Sequence, residues 1–253
     1  MLLTPTDPPP FRVLRESAPS DLFLVADHAG RAIPKALGDL GVPAAEMERH
    51  IAWDIGIAGV TEHLSEMLNA TSVLQAYSRL VIDCNRNPSW PSAIPAVSEY
   101  TPIPGNAGLS DEQRQARVSE IFRPYHDRIV ALLDARAGRR TVYVAMHSFT
   151  PTFKGESREM HVGVLYDKDP RLALIMLDLL RAEGDLVVGE NAPYAITALS
   201  DYSVPAHAEP RGLNHLELEI RQDLIASASS QKAWAERFSR LLPIAVERLG
   251  AVA

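Results

Sequence analysis

Four short apolar runs, each ending in polar or charged residues, constrain this chain more than any other feature. They are LFLVADH (22–28), RLVIDCNR (79–86), TVYVAMHS (141–148) and LNHLELEIRQD (213–223). Runs of this length with β-branched residues read as buried strands of a mostly parallel sheet. In open α/β sheets the ligand crevice lies beyond the carboxyl ends of the strands. Those ends carry His28, Arg79, Asp83, Asn85, Arg86, His147, Glu219 and Arg221. Metal ligands, carboxylate clamps and a candidate base would then share one crevice, a combination suited to hydrolysis.

The remaining pattern alternates helix and strand. A first strand is expected at about 22–27. The stretch 54–69 places Ile57, Val60, Leu64 and Leu68 at helical spacing, as an amphipathic helix packed on a sheet requires. Strands are expected near 72–76 and 79–84. The segment 87–109 is punctuated by proline and glycine, and a loop this long in a compact domain is often a lid or binding loop. Ser110 opens a helix, with Asp111 and Glu112 in its first turn and Gln113 at the reciprocal capping position. Pro124 should kink or divide that helix before it ends near Gly138. Strands at 141–146, 161–166, 185–189 and 214–220 follow, with helices at 169–182 and 228–248 and a loop over 190–212. No repeat or composition break marks a second domain. The expectation is a single α/β domain over 1–253: a mostly parallel or mixed central sheet flanked by helices, with 1–10 a flexible arm.

With 253 residues, 46% apolar and 23% charged, the chain is long enough to bury a sizeable core under a soluble surface. Its net charge of −7, with scattered basic residues, argues against nucleic acid or an anionic membrane as partner. A small anionic substrate stays open, because a local pair of arginines outweighs the overall sign. Cys84 is the only cysteine, so no intrachain disulfide forms, and inside VIDCN it reads as a small core residue. With no signal-peptide pattern at the start and no apolar stretch near the roughly 18 residues a membrane helix needs, a cytoplasmic protein is expected.

His28 and His147 each follow an apolar strand. Two neutral imidazoles in one crevice suit Zn²⁺, although the same ligands would accept another divalent ion. A catalytic zinc takes three protein ligands and an open position. Asp54, in WDIG, is the best carboxylate available for the third. Its bland reading is a helix cap or first-turn acid. Asp27 would point to the opposite face from His28 if strand alternation holds that far. The other six histidines are less well placed. Arg79, Asn85 and Arg86 offer planar and amide donors to a substrate carboxylate or an oxyanion, and Arg221 is a further substrate contact. Asp83 in its simplest role pairs with one of these arginines. Alternation in LELEIR sets Glu217, Glu219 and Arg221 on one face. An acid in a buried strand needs a partner, so Glu219 is a candidate general base.

From VADHAGRAIP through WDIG, YSRLVIDCNR and MHSF to GENAPY and LNHLELEIRQDL, the chain resembles the N-formylglutamate amidohydrolase family. The resemblance covers about residues 20–225 and implies a fold similar to zinc carboxypeptidases and aspartoacylases. SRLVIDCNR is similar to an aspartoacylase segment, which implies substrate or oxyanion roles for Arg79, Asn85 and Arg86. LELEIRQD is similar to a carboxypeptidase strand, which implies that Glu219 is the catalytic glutamate. Those relatives carry His-x-x-Glu where this chain has His28-Ala29-Gly30-Arg31, so Asp54 stands as this chain's own substitute. The implied activity is zinc-dependent cleavage of an N-formyl or N-acyl amino acid, N-formyl-L-glutamate first. Asn85 and Arg86 would grip the α-carboxylate, with Arg158 or Arg211 open to meet a side-chain carboxylate. Two alternatives stand beside it: a zinc deacylase or carboxypeptidase on another carboxylate-bearing amide, and a non-catalytic carboxylate-binding protein.

Overall fold

The computed structural model describes residues 1–197 and 200–251. Seven strands form one mixed sheet: β1 (Phe11–Leu14), β2 (Leu22–Ala26), β3 (Thr71–Gln75), β4 (Val142–Phe149), β5 (Val162–Leu165), β6 (Val188–Glu190) and β7 (Asn214–Arg221). Their spatial order is β1-β3-β2-β4-β7-β5-β6. The four central strands β3, β2, β4 and β7 run parallel, β1 is antiparallel to β3, and the parallel pair β5–β6 is antiparallel to β7. The parallel strands therefore deliver their carboxyl ends to one edge, as the sequence pattern requires.

Alternate residues of each strand feed two different layers. Leu22, Leu24, Val144, Met146, Leu216 and Leu218 pack against α1 (Ile57–Leu68), α4 (Arg171–Ala182) and α5 (Ala228–Ala251). Phe23, Val25, Tyr143 and Ala145 face the opposite layer, which holds α3 (Arg123–Asp134) and the buried loop Leu80–Ile82. Ahead of α3, α2 (Asp111–Arg117) begins with the expected capping box, Ser110 and Gln113 each accepting from the other's backbone N–H. A π-helical turn, Val118–Phe122, joins α2 to α3 just before Pro124. The widened turn accommodates the ring that would otherwise meet the preceding carbonyls.

The expected strand at 79–84 is a loop. Leu80, Val81, Ile82 and Cys84 are all buried, so the apolar run is correct but its backbone joins no sheet. Side chains supply the missing partners: Arg117, itself buried, donates to the Val81 carbonyl at 2.9 Å, and Asn106 donates to the Leu80 carbonyl at 2.8 Å. A buried backbone group needs a partner, and here the partner is not a strand. Residues 1–10, expected as a flexible arm, touch the body. The Leu2 N–H donates to Glu120 at 2.7 Å and the Tyr77 hydroxyl to the Pro8 carbonyl at 2.6 Å. Strand β1, beyond that arm, was not evident from the sequence. No described helix is long and apolar enough to cross a membrane.

Candidate active site

Strand β2 ends at Ala26, and Asp27 and His28 form a turn. The turn breaks the alternation that would have sent them to opposite faces, so both reach the same buried cluster. Gly30 allows it: a Cβ there would lie 2.0 Å from the Ala76 carbonyl oxygen at the end of β3. On β4 and β7 the alternation holds, and register sets His147 directly beside Glu219.

His28, Asp54 and His147 each offer a ligand atom, all within 4.8 Å of one another, and all three residues are buried. Asp54 Oδ2 accepts from His147 Nδ1 at 2.9 Å and from the Ser148 N–H at 3.2 Å, and lies 3.5 Å from His28 Nδ1. No side chain caps α1, whose N-cap residue is Gly56, and no acid sits in its first turn, so the bland reading of Asp54 falls. Behind each imidazole stands a carboxylate. His28 Nε2 donates to Asp83 Oδ1 at 2.7 Å, while His147 Nε2 faces Asp27 Oδ2 at 3.5 Å and Glu217 Oε2 at 4.0 Å. This is the arrangement that orients ligating histidines in metal sites.

The donor set fits a divalent cation. His28 Nδ1 is buried and makes no hydrogen bond, as do Asp27 Oδ2, Glu217 Oε2 and Glu219 Oε2. Such orphaned atoms are costly unless something satisfies them. Five buried carboxyl groups, Asp27, Asp54, Asp83, Glu217 and Glu219, lie in and around the cluster, and Arg79 pairs with two of them, Asp83 and Asp54.

That imbalance sets the protonation states. Burial pushes both Glu217 and Glu219 up to about 8, the nearby carboxylates adding to the effect while His147 opposes it. Burial alone would depress His147, yet Glu217, Asp27 and Asp54 hold it well above the usual histidine range. Burial opposes ionisation of Asp83 too, but Arg79 and His28 keep it well below the usual carboxylate range.

A cavity of about 440 Å³ opens over the cluster. His28, Asp54, Arg79, Asn85, Arg86, His147 and Glu219 all line it, as do Val97 and Glu99 of the long 87–109 loop. Arg79 donates to Asp83 at 2.7 Å and approaches Asp54 Oδ1 at 3.5 Å. Asn85 Oδ1 accepts from the Tyr202 and Ser203 N–H groups, both at 2.9 Å, and its amide donates to Asp201 at 3.1 Å. Arg86 donates to the Ser200 carbonyl and reaches Asp201 Oδ1 at 3.4 Å.

Arg221 departs from the expectation. It lies outside the cavity lining, its guanidinium held by Asp223 at 2.8 Å and by the carbonyls of Arg158 and Glu159 at 3.2 Å. Arg221 is the last residue of β7, and its side chain turns to brace the neighbouring loop. Three residues were missed from the sequence. Asp27 and Glu217 back His147, and the LELEIR alternation already set Glu217 on Glu219's face. His50 lines the cavity with Nε2 3.5 Å from Glu99, and no pattern in the sequence marked it.

The family model for N-formylglutamate amidohydrolase matches residues 20–226. A gene product of Agrobacterium tumefaciens known from its crystal structure is 41% identical, with a TM-score of 0.95, and the match covers 99% of this chain and 100% of that one. An N-formylglutamate amidohydrolase from Ralstonia eutropha JMP134 shares the fold at 19% identity, with a TM-score of 0.66 and coverage of 96% and 99%. Among curated proteins no relative matches. The match takes in β2 through β7, and with them every residue of the cavity's floor. On that extent of agreement, the chain belongs to the N-formylglutamate amidohydrolase family.

Proposed function

We propose that this amidohydrolase cleaves the formyl amide of an N-formyl amino acid, N-formyl-L-glutamate first, with zinc held by His28, Asp54 and His147. The observation that carries the reading is the buried His-Asp-His group beside Glu219 on the floor of one cavity. Zinc, when bound, would acidify water and polarise a carbonyl oxygen.

The chain's own residues supply the rest. Glu219 accepts the proton of the attacking water and returns it to the leaving nitrogen, as the C–N bond breaks and the water oxygen joins the acyl carbon. Its raised proton affinity, about 8, suits a group that must both take and give a proton near neutral pH. Arg79 stays charged between Asp83 and Asp54 and opposes negative charge building on the acyl oxygen. Asn85 and Arg86 hold the α-carboxylate of the amino-acid half. Asp83 and Asp27 hold the two imidazoles in orientation.

The test is release of formate and free amino acid from N-formyl-L-glutamate by the zinc-loaded full chain. Equal amounts of both products are expected. No product from this or any other N-formyl amino acid, with zinc bound, would end the reading.

A further inference from the structure

We infer that Ser203 and Tyr125 are positioning residues for the metal site: their hydroxyls hold Asp27 so that its second oxygen presents to the imidazole of His147. The inference rests on His147 being a metal ligand, as in the function proposed above.

Asp27 is buried at the turn after β2, and its two oxygens have different surroundings. Oδ1 accepts from the Tyr125 hydroxyl at 2.8 Å and from the Ser203 hydroxyl at 3.0 Å. Oδ2 is buried, accepts no hydrogen bond and faces His147 Nε2 at 3.5 Å. The terminal torsion of an aspartate is broad, so the side chain does not choose this orientation by itself. Two donors on one oxygen choose it. They come from distant parts of the chain, Tyr125 from α3 and Ser203 from the residue ahead of the π-helical turn Val204–Ala208.

The direction of each bond follows from what each group can give. A carboxylate only accepts, so the single hydroxyl proton of Ser203 goes to Asp27. Tyr143, on β4, then donates to Ser203 Oγ at 2.8 Å. Tyr125, Tyr143 and Ser203 are all fully buried, so a donor deleted from this chain leaves its acceptor short.

Ser203 also serves the substrate side. Its backbone N–H donates to Asn85 Oδ1 at 2.9 Å, beside the Tyr202 N–H at the same distance. One residue thus holds the clamp through its main chain and the metal histidine through its side chain. Substitution separates the two, because Ser203→Ala removes the hydroxyl and keeps the N–H.

The test measures zinc affinity of the full chain by chelator competition at fixed pH. Ser203→Ala and Tyr125→Phe should each weaken zinc about 10-fold, the lower end of what an outer partner of a ligating histidine contributes. Ser203→Thr keeps the hydroxyl, and Tyr143→Phe removes a buried hydroxyl one bond further from Asp27. Both should stay within about threefold of the wild type. At saturating zinc, the KM of Ser203→Ala for N-formyl-L-glutamate should stay within about twofold of the wild type, since the Asn85 contact survives. Wild-type zinc affinity in either Ser203→Ala or Tyr125→Phe overturns the inference. So does an equal loss in Tyr143→Phe, which would mark general loosening of the core, or a KM in Ser203→Ala that rises with the zinc loss. Should one of the first two variants not fold, the other decides. A wild type that binds zinc yet cleaves no N-formyl amino acid ends the proposed function alone, and the affinities still decide here. A wild type without zinc affinity ends both.

Discussion

Asp83 Oδ1 accepts a 2.7 Å hydrogen bond from His28 Nε2, and the opposite nitrogen of that ring is left bare and facing Asp54. The carboxylate thereby fixes the tautomer, because an acceptor-only group requires the proton on Nε2. Asp83→Asn keeps the shape and removes the charge. Zinc affinity, measured by chelator competition at fixed pH, should fall about 10- to 100-fold. Unchanged affinity would show that Asp83 serves Arg79 and the Asn85 N–H rather than the metal site.

Glu219 stands beside His147 in register, yet it is not one of the three residues grouped for the metal. Glu219→Gln should leave zinc content and melting temperature near those of the wild type while kcat falls about 10²- to 10⁴-fold, the usual contribution of a positioned base. Near-normal turnover would remove it from the reaction.

Arg86 reaches Asp201 and the Ser200 carbonyl from the cavity wall. Arg86→Ala should raise the KM for N-formyl-L-glutamate about 10- to 100-fold with little change in kcat, since a uniform binding contact is lost. A fall in kcat at constant KM would assign it to the transition state instead.

Gly30 passes against the Ala76 carbonyl, where an added Cβ would be 2.0 Å from oxygen. Backbone cannot yield as a side chain can. Gly30→Ala should cost about 2–3 kcal/mol by denaturant titration and weaken zinc binding, because His28 is two residues away. Wild-type stability would mean that the turn relaxes freely.

His126 and His207 form a buried pair away from the metal cluster, Nδ1 to Nε2 at 2.8 Å, with His126 Nε2 donating to the Cys84 carbonyl at 2.9 Å. Burial lowers His126 to about 4 and His207 to about 3. Between pH 6.5 and about 4 the unfolded chain binds more protons than the folded one. Stability is therefore complete above pH 6.5 and falls on acidification, by about 3 kcal/mol from His126 alone. His207→Gln should flatten the pH dependence of the denaturation midpoint over that window, and an unaltered slope would exclude the pair.

Local pattern determined much of this protein. The run at 22–26 is a strand because a buried strand must be apolar on both faces, 214–221 is one whose leucines alternate with the acids that face the cavity, and Ser110 with Gln113 caps a helix because both partners lie within four residues. Histidines at strand ends pointed to the crevice by the same local logic. What only the tertiary structure decided lies in long-range pairing. RLVIDCNR reads as a strand, yet it is a loop, because Arg117 and Asn106 satisfy carbonyls that no local pattern could assign. Asp27 joins the site because a turn breaks the alternation, and Arg221 leaves it because Asp223 and two carbonyls claim its guanidinium. Periodicity reports which residues are buried; which partner satisfies each buried charge depends on where chain segments cross, and that is a property of the whole fold.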